Sequence, residues 1–347
     1  SPFEFAVENH PLAPLTLYRV GGPARLALLP RSYGEAVEAY RWLRGQSGPK
    51  LVLGGGSNVL IGDRGFGGAV LVTTGLTKLE PLGDDRYRAE AGVVLDRLVQ
   101  EVMLANNYDG VGGLTGIPGS VGGAIYMNAG TVNGSTCQWM ESVEVMEPSS
   151  DEPRVVELNE SSYGYRGQTF CPRGGLILRG TFRFRRAEKD QRAIYDHYIA
   201  RRKEKQPQGY CCGSVFKNPP GDHAGRLIEA CGLKGTRHGG AAISRVHANF
   251  IMNEDRATSE DILELIALCK RAANERFGIR LEEEVVSVAC RLAAAVARRG
   301  FGNPGRCRHM GWRDPRCPSG SGRVMMPRAR MGLRLRTIWE GRRNGPD

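Results

Sequence analysis

Two short runs in this 347-residue chain can hold an anion with main chain rather than with side chains. Leu51-Val-Leu-Gly-Gly-Gly-Ser-Asn58 ends a continuous apolar stretch on Gly54, Gly55 and Gly56, followed by the donors Ser57 and Asn58. Residues without Cβ atoms let consecutive N–H groups converge on one guest, so a diphosphate suits this loop, as does a tight turn that binds nothing. The second run, Gly116-Ile117-Pro118-Gly119-Ser120-Val121-Gly122-Gly123-Ala124, has the same character. Two such loops suit a long ligand with a central diphosphate, such as a dinucleotide. Neither reads GxGxxG opening a helix or GxxxxGK[ST], which excludes Rossmann and P-loop sites. No GxSxG surrounds Ser57 or Ser120, which counts against a serine-hydrolase elbow.

The elements that must position these loops are legible from periodicity. Strands are expected at residues 15–20, 24–29, 50–53, 69–73, 87–91, 142–147, 154–157 and 176–184, with helices at 33–43 and 95–105. An amphipathic helix over 189–205 connects to a final unit, 209–288, and its Arg201-Arg202-Lys203-Glu204-Lys205 end reads as a solvated run. In that unit Thr258 and Asp261 form a capping-box start, and Ile262, Leu265, Ile266, Cys269, Ala273 and Phe277 line one helix face. Strands and helices alternate irregularly, so the class is α+β in several lobes, with boundaries near 1–75, 76–197 and 198–290.

The formal charge of +11 suggests a polyanion partner until it is mapped. Residues 291–347 hold 14 Arg, no Lys and 3 acids, a net of +11, while 1–290 hold 34 basic and 34 acidic residues. A nucleic-acid binder built around the tail is therefore the rival from another class; the tail itself reads as disordered or non-native sequence. The neutral body keeps 38 of the 47 glycines. No run approaches the roughly 18 apolar residues of a membrane span. Nine cysteines without a CxxC argue against a disulfide scaffold or a zinc ribbon, and no metal is expected. A cytoplasmic protein without an obligate protein partner is the expectation.

The order of blocks carries a resemblance. Leu15-Thr-Leu-Tyr-Arg-Val-Gly-Gly-Pro-Ala24, GGGSNVLIGDRGFGG (54–68), GIPGSVGGAIYMNAG (116–130), SYGYR (162–166), GSVFKNP (213–219), AGRLIEACGLKG (224–235), GGAAISRVHANFIMN (239–253) and LEEEV (281–285) resemble the UDP-N-acetylenolpyruvoylglucosamine reductase family. The blocks span about residues 10–288 in family order, with the spacing of the shorter form that lacks an extra substrate-covering loop. The resemblance implies a flavin fold of the vanillyl-alcohol-oxidase (PCMH) type with a C-terminal α+β substrate domain. It implies non-covalent FAD, NADPH as hydride donor and UDP-N-acetylglucosamine enolpyruvate as substrate, in peptidoglycan precursor synthesis. Hydride would pass from NADPH to flavin and then to the enolpyruvyl β-carbon, with protonation at the α-carbon. Another flavoprotein of this fold with a different substrate is the nearer rival.

Hydride addition beside a carboxylate builds an enediolate-like anion, so the site needs a cation and a proton donor. By resemblance, Arg166 clamps the carboxylate, Ser214 protonates the α-carbon and Glu284 stabilises the enol form. Gly54, Gly55, Gly56, Ser57, Asn58, Ile117, Pro118, Gly119, Ser120, Gly122, Gly123 and Ala124 would hold the cofactor. Lys217, Asn218, Lys234, His247 and Asn249 would bind the substrate. The chain departs from the family pattern at Tyr210-Cys211-Cys212-Gly213, where Pro-Ser-Ala-Gly is usual; these thiols are either oxidation-sensitive neighbours of Ser214 or buried and inert. It also has Gly167-Gln-Thr-Phe170 after Arg166, and Glu283 where proline is usual.

Overall fold

The computed structural model describes residues 2–289. The arginine-rich tail lies outside the described residues. The chain opens with β1 (Ala6–Pro11), β2 (Pro23–Leu28), α1 (Tyr33–Gly45), β3 (Lys50–Leu53), β4 (Val59–Ile61) and β5 (Phe66–Val72). Four of these strands form a sheet in the order β1-β2-β5-β3, antiparallel between β1 and β2 and parallel elsewhere. Parallel strands need crossovers: α1 carries the chain from β2 to β3, and the first glycine loop with β4 carries it from β3 to β5. Ser32 starts that helix by accepting the Glu35 amide, and the helix buries Ala36, Val37, Ala39, Tyr40 and Leu43.

The strand expected at 15–20 does not form. Pro14 lies in a 3₁₀ turn over Ala13–Leu15, the Leu17 amide donates to the Gly56 carbonyl at 3.0 Å, and Arg19 takes a left-handed φ of 57°. The segment is thus pinned to the first glycine loop instead of to a neighbouring strand. Conversely, β1 was not expected: its Ala-Val-Glu-Asn-His-Pro sequence is an edge strand with little buried surface.

The second lobe is built on β6 (Leu79–Gly83), β7 (Arg86–Glu90), α2 (Leu95–Leu98, widening into a π-helical stretch over Val99–Leu104), α3 (Val111–Leu114) and α4 (Val121–Tyr126). It continues through β8 (Gly130–Thr131), β9 (Gly134–Ser135), β10 (Met140–Met146), β11 (Arg154–Glu157), β12 (Tyr163–Gly164), β13 (Gly167–Gln168) and β14 (Leu176–Arg183). Its sheet, β11-β10-β14-β7-β6, is antiparallel throughout. The short helices α3 and α4 fall where glycine content suggested only loop; burial of Val111, Leu114, Val121 and Ile125 overrides the low helix propensity of glycine.

Helix α5 (Gln191–Lys205) leads to α6 (Ala224–Ala230), β15 (Arg237–His238), β16 (Ala241–Ile243), β17 (Ile251–Asn253), α7 (Ser259–Phe277) and β18 (Val286–Val288). On α7 the Thr258–Asp261 capping box forms as expected, Gly278 closes the helix at φ 69°, and Ile262, Leu265, Ile266, Cys269 and Ala273 are buried. The cores cross the expected lobe boundaries. Met146, Leu176 and Leu178 pack with Leu28, Tyr40 and Leu71, and Tyr18, Val20 and Leu60 pack with the residues of α7. Finally, β18 returns to pair in parallel with β4, which carries the chain's last described strand back to the first glycine loop.

Candidate active site

The two glycine loops interlock. The Gly55 amide donates to Ser120 Oγ at 3.1 Å, and a Cβ on Gly54 or Gly55 would come within 2.9 Å of Ser120. A Cβ on Gly119, whose φ is 116°, would lie 2.4 Å from Ser57 Oγ. The two loops therefore touch through glycine main chain and the Ser57 and Ser120 side chains, with no room for further Cβ atoms, and residues of both line a cavity of about 1990 Å³. Pockets for single drug-sized ligands measure roughly 300–1,000 Å³, so this cleft has room for a dinucleotide together with a nucleotide sugar. Gly54, Gly55, Gly56, Ser57, Asn58, Ile117, Pro118, Gly122, Gly123 and Ala124 face it. Gly119 and Ser120 do not; Ser120 is buried and acts by bracing the first loop. The residues present thus fit FAD: a bare-backbone cradle for a diphosphate, set in a long cleft.

Arg166, Ser214 and Glu284 line the same cavity. Arg166 sits in the two-residue turn between β12 and β13, at a left-handed φ of 54°. Its Nε donates to Glu284 Oε1 at 2.8 Å and its Nη2 to the Gly130 carbonyl at 2.8 Å. The pair is largely shielded, with side-chain exposures of 20% and 15%. Glu284 is placed from the other side. Its carbonyl accepts from Asn58 Nδ2 at 2.9 Å, and the Val286 amide donates to the Asn58 carbonyl at 3.0 Å. Ser214 follows Gly213, whose φ of 73° turns the chain into the cleft. The Val215 carbonyl accepts the Glu284 amide at 2.8 Å, which ties the serine and glutamate segments together.

The five expected substrate residues divide. Asn218 and His247 face the cavity. The Asn218 side chain accepts from the Ala224 amide at 3.1 Å, and its own amide donates to the Tyr165 hydroxyl at 3.5 Å. His247 Nδ1 accepts the Asn249 amide at 3.2 Å, which leaves Nε2 as the ring's other polar atom. Burial, and then nearby Lys234, lower the His247 pKa and favour neutral imidazole. Lys217, Lys234 and Asn249 do not reach the cavity. Lys217 Nζ donates to Glu282 at 2.6 Å and Lys234 Nζ to Glu229 at 2.8 Å. Asn249 is 3% exposed, and its amide spends both groups on Phe216, accepting from its N–H at 3.0 Å and donating to its carbonyl at 2.8 Å. It supports the segment carrying Ser214 instead of facing a ligand.

The charged end of α5 is more than a solvated run. Arg201, Arg202 and Lys205 line the cavity, and the Arg202 stem packs where a Cβ on Gly116 would stand, 2.7 Å from its Cδ. Charge in a sequence does not reveal which side of a helix end turns inward. Cys211 and Cys212 line the cavity as well. Burial raises the Cys211 pKa and pushes Cys212 up to about 12, so the Cys212 thiol is the inert form at neutral pH.

The chain's similarity to known proteins covers the same residues. The family description "UDP-N-acetylenolpyruvoylglucosamine reductase, C-terminal domain" matches residues 205–288, and "FAD binding domain" matches 24–152. The UDP-N-acetylenolpyruvoylglucosamine reductase of Caldicellulosiruptor bescii is 36% identical over 293 residues, covering 82% of this chain and 91% of the relative. That of Chloroflexus aggregans is 40% identical over 287 residues, covering 80% and 95%. The crystal structure of the Thermus caldophilus enzyme superposes with a TM-score of 0.67 at 35% identity, covering 81% of this chain and 97% of that one. With the flavin cradle, the shielded Arg166–Glu284 pair and this likeness along nearly the whole of each relative, the chain belongs to the UDP-N-acetylenolpyruvoylglucosamine reductase family.

Proposed function

We propose that Arg166, Ser214 and Glu284 carry out the family's reaction in this chain, the reduction of UDP-N-acetylglucosamine enolpyruvate to UDP-N-acetylmuramate with NADPH. The observation that carries the assignment is the 2.8 Å Arg166–Glu284 contact in a cavity also lined by Ser214. FAD held by the two glycine loops would supply hydride chemistry, with NADPH as the source of the hydride and the substrate β-carbon as its destination. Arg166 has five N–H donors, of which one on Nε and one on Nη2 are used internally. The remaining three suffice for a bidentate clamp on the enolpyruvyl carboxylate, where negative charge grows. Ser214 gives its proton to the α-carbon. With Oε1 fixing the guanidinium, Glu284 Oε2, which has no hydrogen-bond partner among the described residues, would be left for the developing enol.

Residues 1–75 and 76–197 would hold the flavin, and 198–290 the UDP-sugar, with Asn218 and His247 as its cleft-facing contacts. No helix among the described residues is long and apolar enough to cross a membrane, and we assign the protein to the cytoplasm, where its nucleotide substrates are found. The test is turnover: FAD-loaded protein should convert the enolpyruvyl UDP-sugar to UDP-N-acetylmuramate with one NADPH consumed per product. NADPH oxidation without that product would overturn the assignment.

A further inference from the structure

Downstream of the second glycine loop, α4 runs into Asn128, a buried polar residue that none of the roles above uses. Asn128 is 3% exposed and holds a left-handed φ of 42°. Its Oδ1 accepts the Cys137 amide at 3.0 Å, and its Nδ2 donates to the Gly164 carbonyl at 2.8 Å. Gly164 is the last residue of β12 before the turn that carries Arg166. Two residues beyond Asn128, the Gly130 carbonyl accepts from Arg166 Nη2. Segment 128–130 therefore grips the Arg166 turn twice, once by its backbone and once by the guanidinium. The segment is itself fixed: the Ala129 carbonyl accepts from both the amide and the hydroxyl of Thr136, each at 2.8 Å, and Gly130 pairs with Ser135.

We propose that Asn128 is a positioning residue for Arg166, setting the guanidinium against the substrate carboxylate from the flavin-loop side. The inference rests on the reading of Arg166 as the carboxylate clamp. The amide is the one side-chain type of this size that donates and accepts at once in fixed directions. An aspartate here would set a carboxylate oxygen against the Gly164 carbonyl and would lose the donor. The arginine turn also has a backbone reason to need a tether, because a non-glycine residue at positive φ costs on the order of 1–3 kcal/mol and persists only when its surroundings hold it.

The experiment needs no turnover. Calorimetry on FAD-loaded protein compares the affinity for UDP-N-acetylmuramate, which carries the carboxylate, with that for UDP-N-acetylglucosamine, which lacks it. Asn128→Gly keeps the left-handed backbone at ease, and Asn128→Asp keeps the size. Both should weaken UDP-N-acetylmuramate about tenfold, the effect of one or two lost hydrogen bonds, and leave UDP-N-acetylglucosamine within twofold. Arg166→Met should remove the preference for the carboxylate, and in that background Asn128→Gly should cost nothing further. Equal effects on both ligands, or none on either while Arg166→Met removes the preference, would overturn the role of Asn128. A preference that survives Arg166→Met would overturn the clamp itself, and the proposal with it.

Discussion

The Arg166 guanidinium meets the Glu284 carboxylate at 2.8 Å although 118 residues separate them in the chain. One partner is held by the first glycine loop and the other by the segment that follows the second. Asn58 holds the Glu284 backbone, and the segment after α4 holds the Arg166 turn. The proposed cradle for the cofactor diphosphate and the groups proposed to manage charge on the substrate are thereby tied into one mechanical unit.

Replacing Arg166 by lysine should be severe. A lysine ammonium is a compact donor that cannot span Glu284, Gly130 and a substrate carboxylate in one plane. Single-turnover oxidation of the reduced enzyme by the enolpyruvyl UDP-sugar should slow by about 100-fold or more, the scale of losing an electrostatic donor to a transition state. Glu284→Gln, which keeps an acceptor for Arg166 Nε, should fold normally and slow the same step.

Ser214→Ala should separate the two half-reactions. Reduction by NADPH needs no proton for the sugar and should stay within about twofold of the parent. The second half-reaction should fall by about 10²–10⁴, the usual contribution of a positioned acid. Stopped-flow absorbance measures both phases, and equal losses in the two would contradict the assigned role.

Gly119→Ala should release flavin. The new methyl would stand 2.4 Å from Ser57 Oγ at a φ of 116°, so the left-handed backbone is strained and Ser57 is displaced from the first loop's cavity-facing surface. Fluorescence of free FAD after dilution should show at least a tenfold weaker cofactor, whereas Gly67→Ala, where a Cβ meets nothing within 4 Å, should retain it.

His247 gives the fold a pH dependence of definite sign. Its pKa is lowered by burial and by Lys234, so the unfolded chain binds its proton more readily. The stability that neutral His247 allows is present above the unfolded value near 6.5 and is lost as pH falls through the lower folded value. Melting temperatures between pH 5 and 7.5 should therefore fall less steeply towards acid in His247→Gln than in the parent; a steeper fall would contradict the assignment.

How far the sequence discloses this protein follows from the kind of information each feature needs. Helix α7 and strands β3, β10 and β14 are visible because their apolar period matches the surface they bury. The glycine loops stand out by composition. What joins them is not visible: the parallel pairing of Val286–Val288 with Val59–Ile61 brings Glu284 to Asn58, and no local pattern encodes a pairing across that separation. The roles of Arg166, Ser214 and Glu284 come from family likeness, since an arginine in a turn and a run of three glutamates look like ordinary surface. Asn128 lies inside the 116–130 block, yet its sequence neighbours say nothing of its bond to Gly164. The 15–20 segment reads as a strand, but its partner is the Gly56 loop and not a strand.

The most direct test of the whole account is an anaerobic spectrum of the purified, FAD-loaded protein. NADPH should bleach its yellow absorbance, and one equivalent of UDP-N-acetylglucosamine enolpyruvate should restore it with formation of UDP-N-acetylmuramate. A protein that stays colourless with added FAD, or one whose bleached flavin is not reoxidised by the enolpyruvyl sugar, would contradict it.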